Sequence, residues 1–511
     1  MSLAVAVLDC LLREDYGGLS RRVRDGALVL PGGRGLPLRP DGFLADLRIA
    51  PGAAVSLDDV DAVLDAVSDP ADADGVAAFK AECRAALAAA RPPVTVAGDP
   101  LGWRGALEYD ALAATMPHPA YPTWAARTGF SAADSRRYGP EHRAEFSLRW
   151  AAVPRDEVVR AGGQTPDWWP SFADVGLPRA LAATHDLLPV HPVTAGEAGE
   201  AGAVVAPGGW LRVRPTLSTR TVAVLARPDV HLKLPLPAST LGLRNRRAIQ
   251  PRTLADGALV CDVLRWLDVE GLLVADDRTF AHAGDPYLGY LLRRFPPGLD
   301  ESRIVPVAAL PAAGPLIEGG DLLKEFRGYL DLVFGVAVRL FTGYGIALES
   351  HQQNAAVVTG PEGSRLLVKD FDGTLINYPR LAAALGDAAP NATAFADPRL
   401  LTGCDDALAD VFITITVHLC AGAIAFGLAA RGWAPLGDLL AVTRDALRDA
   451  LGAYPGDPAA ALLRARVLDA DRLPGKAMVT AGTLVDKSRT GASDINKYYG
   501  TSGPNYLRGL A

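Results

Sequence analysis

Apolar residues at Phe326, Leu330, Val333, Phe334, Ala337, Leu340 and Phe341 keep the three-and-four spacing of a helix that buries one face. Gly343 and Gly345 follow and are expected to stop it. The period then changes. IALESHQQNAAVVT, GPEG and SRLLVKDFDG read as strand, turn and strand, which sets ESHQQN (349–354) and KDFDG (369–373) at the two ends of one hairpin, where they should meet in space. Alternation along a strand puts Glu349, His351 and Gln353 on one face with Asn354 at the bend, and Asp370 and Asp372 on one face of the return strand.

The same reading divides the rest of the chain. Residues 1–95 read as a helical lobe. There, SLDDVDAVLDAVSD opens with Ser56 three residues ahead of Asp59 and aligns Val60, Val63, Leu64 and Val67 on one face. VAAFKAECRAALAAARPP is a strong helix that Pro92 and Pro93 close. Residues 96–310 are richer in Pro, Gly, Trp and β-branched residues, and VTVAG, GAVVAP and RTVAVLARPDVHLKLPL look like strands, so this region is mixed α/β. PVAALPAAGPL reads as a linker, and 311–511 is mostly helical around the hairpin. The window VFITITVHLCAGAIAFGLAA (411–430) has the length of a membrane span, yet it carries His418, Thr414 and Thr416 and lacks flanking signals. A buried core helix is the better reading.

A length of 511 residues implies two or three domains rather than a single core. The 51 basic and 58 acidic residues give a net charge of -7. That balance offers no basic footprint for nucleic acid and argues against an anionic membrane surface, leaving small molecules as the expected partners. Cys10, Cys83, Cys261, Cys404 and Cys420 lie far apart without C-x-x-C spacing and read as reduced, mostly buried thiols. The start, MSLAVAVLDCLLREDYGG, has neither a basic stretch before its apolar patch nor a small-residue cleavage site, so a cytoplasmic location is expected.

Three stretches carry candidate chemistry. The carboxylates and Asn354 of the hairpin motifs suit Mg²⁺, a hard cation that borrows further oxygen ligands from substrate phosphates; the alternative is a polar strand edge with its acids in water. RPTLSTRTV (214–222) and KLPLPASTLGLRN (233–245) supply hydroxyls from Ser218, Thr219 and Thr221, guanidinium forks from Arg220 and Arg244, and the ammonium of Lys233. This is an inventory for phosphates or carboxylates, or else an exposed pair of strands. In MPHPAYPTWAARTGFSAADSRRYGPEH (116–142), His118 and Arg127 punctuate a loop stiffened by Pro119 and Pro122, and Ser131 caps the helix that follows.

Those stretches, in that order, resemble the NRPS-independent siderophore (NIS) synthetases, the aerobactin-synthetase or IucA/IucC family. Its H-P-x-H-P-x-x-K-x-R-x-G-F segment is matched at His118, Pro119, Pro122, Arg127, Gly129 and Phe130, with departures at Tyr121 and Ala125. LLPVHP (187–192), the Ser-x-Arg-Thr, Lys-Leu-Pro-Leu and Thr-x-x-x-Arg pattern, ESHQQN, KDFDG and LPGKAMV look like its later elements. The resemblance implies an α+β cupped hand: a helical N-terminal lobe, a central α/β portion and a mostly helical C-terminal palm, with boundaries near 95 and 310. It implies an AMP-forming ligase using ATP and Mg²⁺, which adenylates a carboxylic acid and passes the acyl group to an amine or hydroxyl. By similarity, Ser218, Arg220, Thr221 and Lys233 hold the triphosphate, while Gln353, Asn354, Asp370 and Asp372 serve the nucleotide. Glu349 and Asp370 serve the metal, and Arg244, His351 and Lys233 form the reaction centre. His118, Arg127, Thr240 and Lys476 line the substrate pocket.

Two other readings compete. HQQNAAVV followed by VKDFDG echoes a small-molecule kinase, although Gln353 stands where a kinase needs its catalytic Asp. A binding module that keeps the fold without catalysis is the second. The oligomeric state is not set by the sequence, a homodimer being one option. Tyr121 and Ala125 remove two cationic partners from the family segment, so an acid with fewer charges than citrate is expected.

Overall fold

The computed structural model describes residues 2–89, 99–314, 320–492 and 497–508. The fold is mixed α and β. In the first lobe the helices Leu3–Arg13, Leu57–Val67 and Ala73–Ala89 bury their apolar faces together, and Ser56 and Asp59 form both halves of a capping box. A small four-stranded antiparallel sheet between Val23 and Ile49 joins them. Its strands are only two to six residues long, too short for alternation to register in the sequence. Pro92, Pro93 and VTVAG lie outside the described residues.

The central region is built on an antiparallel sheet. From edge to edge it runs Val159–Ala161, Asp276–His282, Gly289–Arg294, Arg227–Lys233, Thr221–Val224, Trp210–Pro215, Phe146–Pro154 and His185–Val190. GAVVAP contributes only Val204–Val205, against Phe146–Pro154. RTVAVLARPDVHLKLPL, read as strand, folds as a hairpin that pairs Thr221 with Lys233.

A second sheet orders Leu272–Val274, Gly363–Val368, Ala355–Gly360 and Arg303–Pro306. Its last strand occupies the start of the expected linker. Val305, Val307 and Ala309 are buried, and Pro311 sits in the first turn of the helix Leu310–Ala313, where its missing N–H costs nothing. Over 306–314 the Pro- and Ala-rich composition therefore marks packed chain, not a tether; Pro315 and Leu316 lie outside the described residues.

Asp321 caps the helix Leu322–Tyr344, which runs through Gly343 and ends at Gly345 alone. Gly345 takes the left-handed conformation at φ +64°, and a Cβ there would lie 2.9 Å from Arg380 Cβ. The 411–430 window continues the helix Asp405–Val411 through a wide π segment, Phe412–Gly422, into Ala423–Ala430. Among the described residues it is one helix long and apolar enough to cross a membrane, but 78% of its apolar window is buried in this core. Cys10, Cys83, Cys261 and Cys420 are buried free thiols, and Cys404 is exposed.

The hairpin Ala355–Gly360 and Gly363–Val368 turns at GPEG as expected. Its motifs, however, lie just off the strands. ESHQQN is a loop between Ala347 and Ala355, tightened by bonds from His351 N–H to Glu349 C=O (2.8 Å) and from Asn354 N–H to His351 C=O (2.8 Å). Asp370, at φ +67°, leaves the strand after Val368. The alternation read for Glu349, His351, Gln353, Asp370 and Asp372 is replaced by loop geometry. The two motifs do meet: Lys369 N–H donates to Asn354 C=O at 3.0 Å.

Two core histidines set a pH prediction. His191 of LLPVHP is fully buried between Tyr138 and Phe146, and its Nδ1 accepts from Val193 N–H at 3.3 Å. His418 is bonded to Tyr506 Oη and Pro474 C=O, each at 2.9 Å. Burial pushes the first down to about 3 and the second to about 4, so the unfolded chain takes up these protons first. Their stabilising contribution is full above the unfolded value near 6.5 and is lost as the pH falls toward 4. His191→Asn keeps an acceptor for Val193 and removes one such titration. The dependence of unfolding free energy on pH in that window should flatten by about 1.4 kcal/mol per pH unit. An unchanged slope would mean that His191 already carries a proton in the folded state.

Candidate active site

The site forms where the central sheet meets the open end of the hairpin. Lys233, the last residue of its strand, is 3% exposed and turns its ammonium onto both acids of KDFDG, bonding Asp370 and reaching Asp372 Oδ2 at 3.2 Å. On neighbouring strands Arg293 and Asp277 form a buried bidentate pair at 2.6 and 2.5 Å. Asp277 Oδ2 also accepts the Asp370 N–H at 3.0 Å, and Arg293 Nη2 lies 3.7 Å from Asp370 Oδ1. That backbone bond holds Asp370 in its left-handed conformation.

Burial alone would raise the pKa of Asp370, but Lys233, Arg293 and Arg220 together hold it well below the carboxylate range. Arg293 is subject to the same contest with the sign reversed: burial works against its charge, and Asp277 restores it. Arg220 Nη1 donates to Ala248 C=O at 3.0 Å. Arg247 donates to Thr240 Oγ1 at 2.5 Å. Burial beside Arg220 brings Arg247 down to about 9, so it is still a cation at neutral pH. Ser218 Oγ accepts from Thr221 N–H at 3.2 Å and lies 2.9 Å from Thr221 Oγ1, closing the turn that presents Arg220. Lys233, Arg220, Arg247 and Arg293 thus converge on Asp370, Asp372 and Asp277, with positive charge in excess.

A second cluster adjoins the first. His351 Nδ1 accepts from Gln353 N–H at 3.3 Å, and its Nε2 lies 3.5 Å from the Asn354 amide nitrogen. Burial, then Lys476, pushes His351 down to about 4, and burial with His351, Arg13 and Lys476 pushes His118 to about 3. Both imidazoles are therefore neutral at pH 7. Lys476 Nζ stands 3.8 Å from Glu349 Oε1. A Cβ on Gly373 would lie 1.9 Å from Glu349 Oε2, so the glycine of KDFDG is what admits that carboxylate. The π segment bonds the ESHQQN loop and the strand Arg472–Gly475 that precedes Lys476: Cys420 Sγ donates to Ser350 C=O at 3.3 Å, and His418 bonds Pro474 C=O.

Two expected site residues, and one position where the sequence departs from the family segment, have other partners. Arg127 is locked in a bidentate pair with buried Glu141, at 2.8 and 2.6 Å, which ties down its loop. Arg244 Nη1 donates to Thr483 C=O at 2.8 Å, against the 481–486 segment. Tyr121 is buried, its hydroxyl 3.4 Å from Thr483 Oγ1. Tyr121 and Ala125 both line a cavity of about 650 Å³ with His118, Arg13 and Trp124. Arg247, Asp277, Arg293 and Gly373 were not singled out from the sequence. Asp277 and Arg293 carry no distinguishing signal in the sequence, since Asp276 and Arg278 flank the one in DDRTFAH and Arg294 follows the other in GYLLRR.

Over residues 106–312 the chain matches the IucA / IucC family, and over 326–491 a family described as ferric iron reductase FhuF-like transporter. It is 28% identical over 331 residues to the uncharacterized protein y4xN of Sinorhizobium fredii, covering 52% of this chain and 51% of that protein. Against aerobactin synthase of Escherichia coli it is 27% identical over 333 residues, covering 50% and 54%. The chain spans about half the length of the curated relatives it matches. Its fold superposes on the petrobactin biosynthesis protein AsbB of Bacillus anthracis with a TM-score of 0.75 at 15% identity, over 99% of this chain and 95% of that one. On the aerobactin synthetase IucC of Klebsiella pneumoniae the TM-score is 0.67 at 19% identity, over 99% and 97%. The IucA / IucC family model thus matches the region that carries Ser218, Arg220 and Lys233, and the fold is shared from end to end with the aerobactin synthetases and AsbB.

Proposed function

We propose that the protein is an ATP-dependent ligase that adenylates a carboxylic acid and condenses it with an amine or hydroxyl, releasing AMP and pyrophosphate, in the cytoplasm. The observation that carries this reading is Lys233, buried between Asp370 and Asp372 and ringed by Arg220, Arg247 and Arg293. An excess of fixed cations around paired acids fits a polyphosphate that arrives with its own divalent ion.

The donor set suits Mg²⁺ in that role. Asp370 and Asp372, with Glu349, supply hard oxygens, and among the described residues no group of three or more His, Cys, Asp or Glu is arranged to hold a metal alone. The remaining ligands would come from nucleotide phosphates. When bound, the ion neutralises charge on the phosphates.

The chain's own residues do the rest. A substrate carboxylate oxygen attacks the α-phosphorus and the bond to pyrophosphate breaks; the amine nitrogen or hydroxyl oxygen then attacks the acyl carbon, loses its proton, and AMP departs. Lys233, Arg220 and Arg247 offset the charge on the phosphates, while Arg244 orients the acid. His351, neutral above about pH 4, offers a hydrogen bond beside the α-phosphate without adding a charge. Its low basicity fits orientation better than proton storage. Lys476, held near Glu349, and His118 face the acid or acceptor, and holding the reactants together removes much of the entropic barrier.

Product analysis decides the reaction class. With Mg-ATP, a polycarboxylic acid and an amine, chromatography should find AMP and pyrophosphate; ADP as the sole nucleotide product would establish a kinase instead. Lys233→Ala should lower kcat/KM by about 100-fold or more, because it removes a phosphate-facing cation and leaves Asp370 and Asp372 in mutual repulsion. Near-normal turnover in the folded variant would remove Lys233 from the reaction centre. The uncharged pair Tyr121 and Ala125 leads to a preference for an acid with fewer charges than citrate. Hydroxylamine trapping across mono-, di- and tricarboxylates should show it, and citrate emerging as the best acid by a wide margin would refute it.

A further inference from the structure

A buried carboxylate lies outside every role given so far. Glu82, on the helix Ala73–Ala89, is 5% exposed, and among the described residues its bonding partners are hydroxyls. Oε1 accepts from Thr123 Oγ1 at 2.5 Å and Oε2 from Thr483 Oγ1 at 3.1 Å. Leu243 N–H donates to the same Thr483 oxygen at 3.0 Å, and Tyr121 Oη lies 3.4 Å from it. A hydroxyl has one proton, so with Glu82 ionised the order of donors is determined. Thr123 and Thr483 give their protons to the carboxylate, and Thr483 Oγ1 accepts from Leu243; the Tyr121 hydroxyl stands beside both Thr483 and Glu82.

This knot ends at Arg244. Thr483 C=O accepts from Arg244 Nη1 at 2.8 Å, and Arg244 N–H donates to Gly482 C=O at 3.0 Å. The 240–244 loop and the π-helical turn Thr480–Leu484 touch closely enough that a Cβ on Gly242, at φ +115°, would lie 3.0 Å from Gly482 Cα. We propose that Glu82 is a positioning residue, fixing Thr483 so that Thr483 in turn holds the 240–244 loop and the Arg244 guanidinium. What Arg244 does there rests on the ligase reading; where it is held does not.

The test uses the full chain as Glu82→Gln, Thr483→Val and Thr483→Ser. Phenylglyoxal modification of Arg244, followed by peptide mass spectrometry, reads its restraint without turnover. Arg278, paired with Asp276 on the central sheet, is the internal control. Glu82→Gln and Thr483→Val should modify roughly tenfold faster at Arg244, the scale of one lost buried hydrogen bond, while Thr483→Ser stays within about twofold of wild type. AMP release should show kcat falling in the first two variants with KM for ATP held, since no bond of the knot reaches Lys233 or Asp370. Wild-type modification rates in folded Thr483→Val and Glu82→Gln would overturn the proposal. If Glu82→Gln does not fold, the valine and serine pair decides by itself. AMP absent from wild type would sink the ligase reading and leave the modification result standing.

Discussion

One ammonium between two carboxylates joins the halves of this protein. Lys233 comes from the central sheet, and Asp370 and Asp372 follow the hairpin of the second sheet. Neither side could bury its charges alone, because desolvating a single ion costs several kcal/mol that only a close partner offsets. Arg293 and Asp277 repeat the arrangement one strand over and lend Asp370 a backbone acceptor. The seam therefore has little freedom to slide: a shift of one residue would leave several charges in a dry interior without partners.

This also explains the choice of residues in the candidate site. A surface made only of cations would repel itself when empty, and one made only of acids would repel phosphates. Interleaving four cations with three acids pairs most of the charges without ligand and leaves a net positive excess for an anion. The neighbouring imidazoles stay uncharged because burial and Lys476 both oppose their protonation.

Much of this was legible in the sequence, and for identifiable reasons. Ser56 with Asp59, the apolar face ending at Gly345, and the GPEG turn are local patterns whose causes lie within a few residues. The encounter of ESHQQN with KDFDG followed from hairpin geometry. What could not be read depends on distant partners. Gly343 was as good a helix stop as Gly345 until Arg380 and Asn377 closed around the latter. The 306–314 stretch looked like a tether because nothing nearby revealed that Pro306 ends a strand paired with Ala355–Gly360 and that Val307, Ala309 and Leu310 are buried. Arg127 and Arg244 match the family motif by position, but only the fold shows Glu141 and Thr483 claiming their donors.

The π segment beneath the site has a dynamic consequence. Cys420 bonds the loop between Glu349 and His351, and His418 bonds the strand that ends just before Lys476, so one wide stretch of helix underlies both. Regions tied to a common support open together in native-state fluctuations. Loss of order in Phe412–Gly422 would release Glu349, His351 and Lys476 in a single local unfolding event, so this side of the site is kept or lost as a unit and cannot loosen one loop at a time.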